Sequence, residues 1–103
     1  MLLFITNPDN MLSINQTMSS IVNRLNLKKK AYREIYEVSR TEKRLIIGAS
    51  CIEFDKESLG RLIVKEVKSM YYQNKPKRIG FELDGSAYGT FCDPSEVLVV
   101  CHW

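Results

Sequence analysis

The sequence predicts an α+β domain in which two helices pack on one face of an antiparallel sheet. Two stretches carry apolar residues at helical spacing, and between and after them lie apolar runs at strand spacing. The chain has 103 residues, of which 45% are hydrophobic and 26% charged, so it can bury a single core. We therefore predict one domain over residues 1–103, with a core in 2–83 and a C-terminal extension in 84–103.

The first two elements are predicted to be a strand and a helix. Leu2–Thr6 alternates as a strand does, and the Asn7-Pro8-Asp9-Asn10 sequence that follows is typical of a turn. Ser13, with Gln16 three residues later, has the form of a helix capping box. Apolar residues then recur at helical spacing at Ile14, Met18, Ile21, Val22 and Leu25.

Two strands joined by a hairpin are predicted next. Lys28–Ser39 fits a strand or a helix, and we favour a strand because Thr41-Glu42-Lys43 makes a natural turn into the next run. Arg44–Phe54 has the strongest strand pattern in the chain. Ile46, Gly48, Ser50, Ile52 and Phe54 share one face, which we expect to meet the core, apart from Gly48, which serves the backbone. The other face, with Ile47, Ala49 and Cys51, is then expected to point outward.

The second helix is predicted to begin after Asp55, which can cap it, with Glu57 in its first turn. Its apolar stripe comprises Leu59, Leu62, Ile63, Val67, Met70 and Tyr71. Gly60 within the stripe indicates either a close approach to the sheet or a tolerated defect. Asn74-Lys75-Pro76 is expected to end the helix.

Arg78–Leu83 is predicted as the next strand, followed by an Asp84-Gly85 turn. Tyr88–Cys92 and Glu96–Cys101 are then predicted to form a C-terminal β-hairpin, separated by a 93–95 turn. The first six elements have the βαββαβ order of a ferredoxin-like sandwich, with an antiparallel sheet and both helices on one face.

Two of the strands resemble the ribonucleoprotein motifs of RNA-recognition motifs. Leu3–Asn7 fits the first-strand pattern, and Gly48, Ser50, Ile52 and Phe54 fit the third. The sequence departs from that pattern at the outward positions. A basic residue is replaced there by Ile47, and base-stacking rings are replaced by Ala49 and Cys51. A ring is worth about 1–3 kcal/mol per stacked base, so the resemblance implies a degenerate, weak RNA site.

The resemblance also implies which residues bind single-stranded RNA. Phe4 would stack on a base, Asn7 would support the adjacent loop, and basic loop residues would contact phosphates. The implied nucleic-acid-binding set is Phe4, Asn7, Lys43, Arg44, Ala49, Cys51, Lys77 and Arg78. Two alternatives stay open. The C-terminal hairpin can cover Phe4 as an extra core residue, and the basic loops can simply carry solvated charge.

A second similarity leads to a different function. The GASCIEF run at 48–54 and the IGFELDG run at 79–85 are faintly similar to the RNA-recognition-motif-like domain of COMPASS-type histone lysine methyltransferases. Degenerate domains of this kind bind protein partners or only support neighbouring modules, so the alternative is a protein–protein interaction domain with no meaningful RNA binding. The methyltransferase domain is absent from this chain, and no catalytic constellation is present, so we expect no enzyme.

Cysteine content and hydropathy set the remaining expectations. The three cysteines are odd in number and form no C-x-x-C pair, which indicates reduced thiols in an intracellular protein, nuclear or cytoplasmic. A zinc site formed by Cys51, Cys92, Cys101 and His102 is less favoured than buried thiols, and we expect no metal and no cofactor. No apolar run approaches the roughly 20 residues of a membrane span, and no signal peptide is apparent.

Overall fold

A computed structural model of the protein describes residues 10–28, 34–50, 55–70, 74–83 and 96–103. The described elements are α1 (Asn10–Leu27), β1 (Glu34–Arg40), β2 (Arg44–Ser50), α2 (Lys56–Ser69), β3 (Arg78–Glu82) and β4 (Glu96–His102). Neither of these helices is long and apolar enough to cross a membrane.

The four described strands form one antiparallel sheet in the order β1-β2-β4-β3. The α+β class, with two helices and an antiparallel sheet, is therefore confirmed and is compatible with a ferredoxin-like fold. β4 is a central strand, and from Leu98 to His102 it pairs with β2 on one edge and β3 on the other. Leu2–Thr6 and Tyr88–Cys92 lie outside the described residues, so the first predicted strand and the C-terminal hairpin are not confirmed.

The ambiguous stretch before the hairpin is a strand over its described part, Glu34–Arg40. The Thr41 N–H donates to the Arg44 carbonyl oxygen at 2.8 Å and closes the predicted turn. The β1–β2 register shifts between Glu37 and Ser39, which marks a bulge. On β1, Arg40 donates to α1, to the Asn15 Oδ1 at 2.7 Å and to the Ser19 Oγ at 3.0 Å. Arg40 therefore fastens β1 to α1.

Both faces of the central strands are apolar and buried, but only one of them meets the helices. The helix-side cluster takes Leu45, Ile47, Ala49, Val97, Val99 and Cys101 from the sheet, with Met18, Ile21 and Leu25 from α1 and Leu59, Ile63 and Val67 from α2. A separate cluster on the opposite face contains Ile46, Leu98 and Val100, with Val38 packed against it. The predicted facing of β2 is therefore wrong. Ile47 and Ala49 are fully buried on the helix side, where they contact the core.

The apolar stripe of α1 is confirmed, whereas its predicted start is wrong. Met18, Ile21 and Leu25 are fully buried, and Ile14 and Val22 pack against them. The helix begins at Asn10, so Ser13 lies within it and is not its N-cap residue.

The structure confirms that Asp55 caps the N-terminus of α2. The Asp55 carboxylate accepts a hydrogen bond from the Ser58 N–H at 2.7 Å, and this bond lowers the pKa of Asp55. The helix ends at Ser69, earlier than the sequence predicted. The close approach at Gly60 is also confirmed. A Cβ added there would lie 2.5 Å from the Cγ of Phe81 on β3, so glycine permits this helix–sheet contact.

Candidate nucleic-acid interface

Two basic loops that are far apart in the sequence meet at one end of the sheet. One is the turn between β1 and β2, and the other leads into β3. The end of β4 lies between them. Together they line a groove of about 450 Å³, which we call the cationic end, formed by Thr41, Lys43, Arg44, Lys77, Arg78, His102 and Trp103. Side chains at 43, 77 and 78 are exposed, and those at 44 and 102 are half-buried.

Backbone and side-chain hydrogen bonds from the end of β4 hold both loops in place. The Lys77 N–H donates to the His102 carbonyl oxygen at 2.6 Å, and the Trp103 N–H donates to the Lys43 carbonyl oxygen at 2.8 Å. The Trp103 indole N–H donates to the Asn74 carbonyl oxygen at 2.8 Å, while its ring packs against the helix-side cluster. Trp103 thus links the loop before β2 to the loop before β3.

Sequence reasoning missed Trp103 and did not place His102 in the nucleic-acid site. The alternation of residues along β4 could have indicated that Trp103 is partly buried. Val97, Val99, Cys101 and Trp103 alternate on one face, so the tryptophan continues a buried row. The role of His102 follows only from strand pairing, which its neighbours in the sequence do not reveal.

Three residues on adjacent strands form a cross-strand row at the cationic end. Arg44 is paired with His102, and His102 is paired with Arg78. Their neighbours Leu45, Cys101 and Ile79 pack into the helix-side cluster, so the row lies on the opposite face. Directly paired residues have Cβ atoms about 4.5–5.5 Å apart, which places His102 within reach of both guanidinium groups.

The field around this row is mainly positive. A second groove of about 460 Å³ shares Lys77, Arg78 and His102 with the first and adds Lys68 of α2 and Glu82 of β3. Among the described residues that line the two grooves, Glu82 is the one with a side-chain carboxylate. Burial first, and then the charges of Arg78 and Arg44, hold the pKa of His102 below its ordinary value of 6.5. A lowered pKa favours the neutral imidazole at pH 7.

Of the predicted site residues that the structure describes, it brings the four basic ones together. Lys43, Arg44, Lys77 and Arg78, the four predicted phosphate contacts, line one groove. Ala49 is a correction. It is fully buried against the helices and cannot present a surface to a base. Phe4, Asn7 and Cys51 lie outside the described residues.

The geometry of β4 excludes a zinc ion bound by both Cys101 and His102. Cys101 lies in the helix-side cluster, and burial raises the pKa of its thiol to about 12. His102 lies on the opposite face, so the two side chains cannot hold one ion. Within the described ranges no three His, Cys, Asp or Glu residues come together as a metal site. Cys51 and Cys92 lie outside those ranges.

Comparisons with known proteins assign no family to the chain. No protein-family model, no curated protein and no solved structure matches it. The similarity to RNA-recognition motifs consequently rests on the motif residues alone. Function is argued below from the geometry and charge of the site, because a fold of this kind hosts many functions.

Proposed function

We propose that this protein is a non-catalytic, RNA-recognition-motif-like interaction module with a ferredoxin-like fold. In this proposal it acts in RNA metabolism or chromatin and binds single-stranded RNA weakly at the cationic end. The observation that carries the proposal is the meeting of two basic loops across the end of β4, at Lys43, Arg44, Lys77 and Arg78. Cations grouped in this way attract a phosphate backbone irrespective of its sequence.

The charge of the site supports weak, salt-sensitive binding. Each phosphate neutralised on a single strand contributes a slope of about −0.7 to the dependence of log affinity on log salt. Four contacts therefore give a slope of roughly −2.8, which amounts to about a fifty-fold loss of affinity between 50 and 200 mM salt. The net charge of the whole chain is only +3, so this dependence should arise from the local cluster.

The middle of the sheet adds little to this site. Ile46, Leu98 and Val100, which lie on the face opposite to the helices, are each no more than 3% exposed. Bases cannot stack on side chains that are buried to this degree. The proposal therefore relies on phosphate contacts and does not depend on Phe4, Asn7 or Cys51.

The test is the binding of a labelled octa-uridine, measured by fluorescence anisotropy at several salt concentrations. A variant with Lys43, Arg44, Lys77 and Arg78 each changed to Gln is expected to bind at least about tenfold more weakly at low salt. Its salt slope should fall towards zero. The matched control changes Lys28, Lys56, Arg61 and Lys65 to Gln. It removes the same charge from the helical side of the molecule and should keep most of the affinity and slope.

Thermal melts of both variants verify that they are folded before binding is compared. Equal losses of affinity in the two variants would show that only net charge matters, and would contradict a site at the cationic end. Failure of the unchanged protein to bind octa-uridine at about 50 mM salt would contradict RNA binding altogether.

The second candidate is a protein–protein interaction domain, for example within a histone methyltransferase complex, with no meaningful RNA affinity. The observation that favours it is apolar surface at two element ends. Leu27 at the end of α1 is 86% exposed, and Leu83 after β3 is 40% exposed. Both candidates are non-catalytic, and both place the protein inside the cell, in the nucleus or the cytoplasm.

A further inference from the structure

We propose that His102 is a proton-linked phosphate contact, which takes up a proton from solvent when a phosphate group of a single-stranded nucleic acid binds across Arg44, His102 and Arg78. This inference deepens the proposed function and rests on it. It assigns the phosphate subsite to one row of three residues and makes its affinity depend on pH.

The pairing of three strands places the residues of the phosphate subsite side by side. β4 runs between β2 and β3, so His102 is flanked by Arg44 on one strand and by Arg78 on the other. All three side chains lie on the face opposite to the helices. His102 and Arg78 line both grooves, whereas Arg44 lines the first of them. A phosphate placed over the middle of the row would therefore meet two guanidinium groups and one imidazole.

The charges around His102 explain why its proton depends on the ligand. Arg44 faces it from β2 and Arg78 from β3, with Lys43 and Lys77 on the adjoining loops and Lys68 on α2. Glu82 on β3 is the opposing carboxylate among these lining residues. Partial burial, and then the charges of Arg78 and Arg44, hold the pKa of His102 below 6.5 in the free protein. A bound phosphate anion offsets part of this positive field and raises that pKa, because it stabilises the imidazolium.

The coupling between proton uptake by His102 and RNA binding sets the direction in which affinity changes with pH. When binding raises the pKa of a group, affinity increases as pH falls through the interval between the bound and free pKa values. The free value lies below 6.5, so binding should tighten from neutral to mildly acidic pH. Each unit of pKa difference corresponds to a tenfold change in affinity, and we expect octa-uridine to bind about three- to tenfold more tightly at pH 5.5 than at 7.5.

The experiment uses the chain's single histidine as its own reporter. The imidazole Hε1 resonance is followed by NMR through a pH titration, first of the free protein and then of the protein saturated with octa-uridine. We expect the titration midpoint to rise on binding. Anisotropy at pH 5.5 and 7.5 supplies the affinities, and phosphodiesters and uracil do not titrate in that range.

A His102→Gln variant provides the matched control, because glutamine keeps a neutral hydrogen-bonding side chain but cannot take a proton in this range. Whatever its affinity at pH 7.5, the variant should bind no more tightly at pH 5.5, so the ratio of the two affinities should fall to about one. Binding with an unshifted His102 midpoint would overturn the inference and leave the proposed function standing. A pH dependence that persists in the variant would do the same. No binding at either pH would overturn the proposed function, and the inference with it. The midpoint measurement needs no variant, so it holds even if the substitution disturbs folding.

Discussion

Replacing Ala49 with Phe is expected to lower the free energy of unfolding by at least about 3 kcal/mol, because it forces a ring into a filled core. Ala49 is fully buried on β2, where its strand partners are Ile35 and Val97, and it packs in the cluster that meets both helices. The RNA-recognition-motif resemblance places an aromatic ring at this position, on an open face. The structure and the resemblance therefore predict opposite outcomes for a single substitution.

The matched control is Gly80→Phe on β3. Gly80 is exposed, and a Cβ added there would meet no other atom within 4 Å. The same ring at this position should change the free energy of unfolding by less than about 1 kcal/mol. Urea denaturation of both variants provides the comparison. An Ala49→Phe variant as stable as the unchanged protein would place Ala49 on an open face, contrary to the fold described above.

Replacing Trp103 with Ala is expected to lower the free energy of unfolding by about 2–3 kcal/mol, less than for a fully buried ring because Trp103 is half-buried. RNA binding should also weaken. The indole N–H bond to Asn74 and the backbone bond to Lys43 hold the two basic loops on either side of β4. When the ring is lost, the loops lose this constraint and their cations no longer share one groove.

A Trp103→Phe variant separates packing from hydrogen bonding. It keeps most of the ring but removes the indole donor, so we expect it to lose only about 1 kcal/mol. Urea denaturation gives the stabilities, and octa-uridine anisotropy under conditions where both variants are folded gives the affinities. If Trp103→Ala matched the unchanged protein in both measurements, Trp103 would have no part in holding the site together.

The helices could be predicted well because their signals are local. The stripe through Met18, Ile21 and Leu25 and the cap at Asp55 each depend on residues within one or two turns, and the structure confirms both. The start of α1 could not be predicted, since the capping-box pattern at Ser13 also fits the interior of a helix that begins three residues earlier.

The sheet could be predicted only in part because its order depends on distant pairing. The strand pattern predicts β2, and the structure confirms it over Arg44–Ser50. Both of its faces are apolar, however, and the strand period does not indicate which of them meets the helices. The structure decides this through the contacts of Leu45, Ile47 and Ala49. The central position of β4 likewise depends on pairing with β2, about fifty residues earlier in the chain.

The candidate site, like the sheet, could be predicted only in part from the sequence. Lys43, Arg44, Lys77 and Arg78 were predicted as phosphate contacts from loop charge, and they meet in one groove. His102 joins them only because β4 lies between β2 and β3. Arg40 is also basic and precedes the same turn, yet it donates to Asn15 and Ser19 of α1 instead of joining the groove. Charge in the sequence therefore indicated a candidate surface, and strand pairing selected its members.

The most direct test of the cationic end is an amide-shift titration of the ¹⁵N-labelled protein with octa-uridine at about 50 mM salt, where phosphate contacts are strong. We predict that the largest shifts will occur in 41–44, in 77–79 and at His102 and Trp103, and that they will fade as salt is raised. The outer surface of α2, around Arg61 and Lys65, should stay nearly unchanged. Shifts centred on the helices, or none at all, would contradict RNA binding at this end of the sheet.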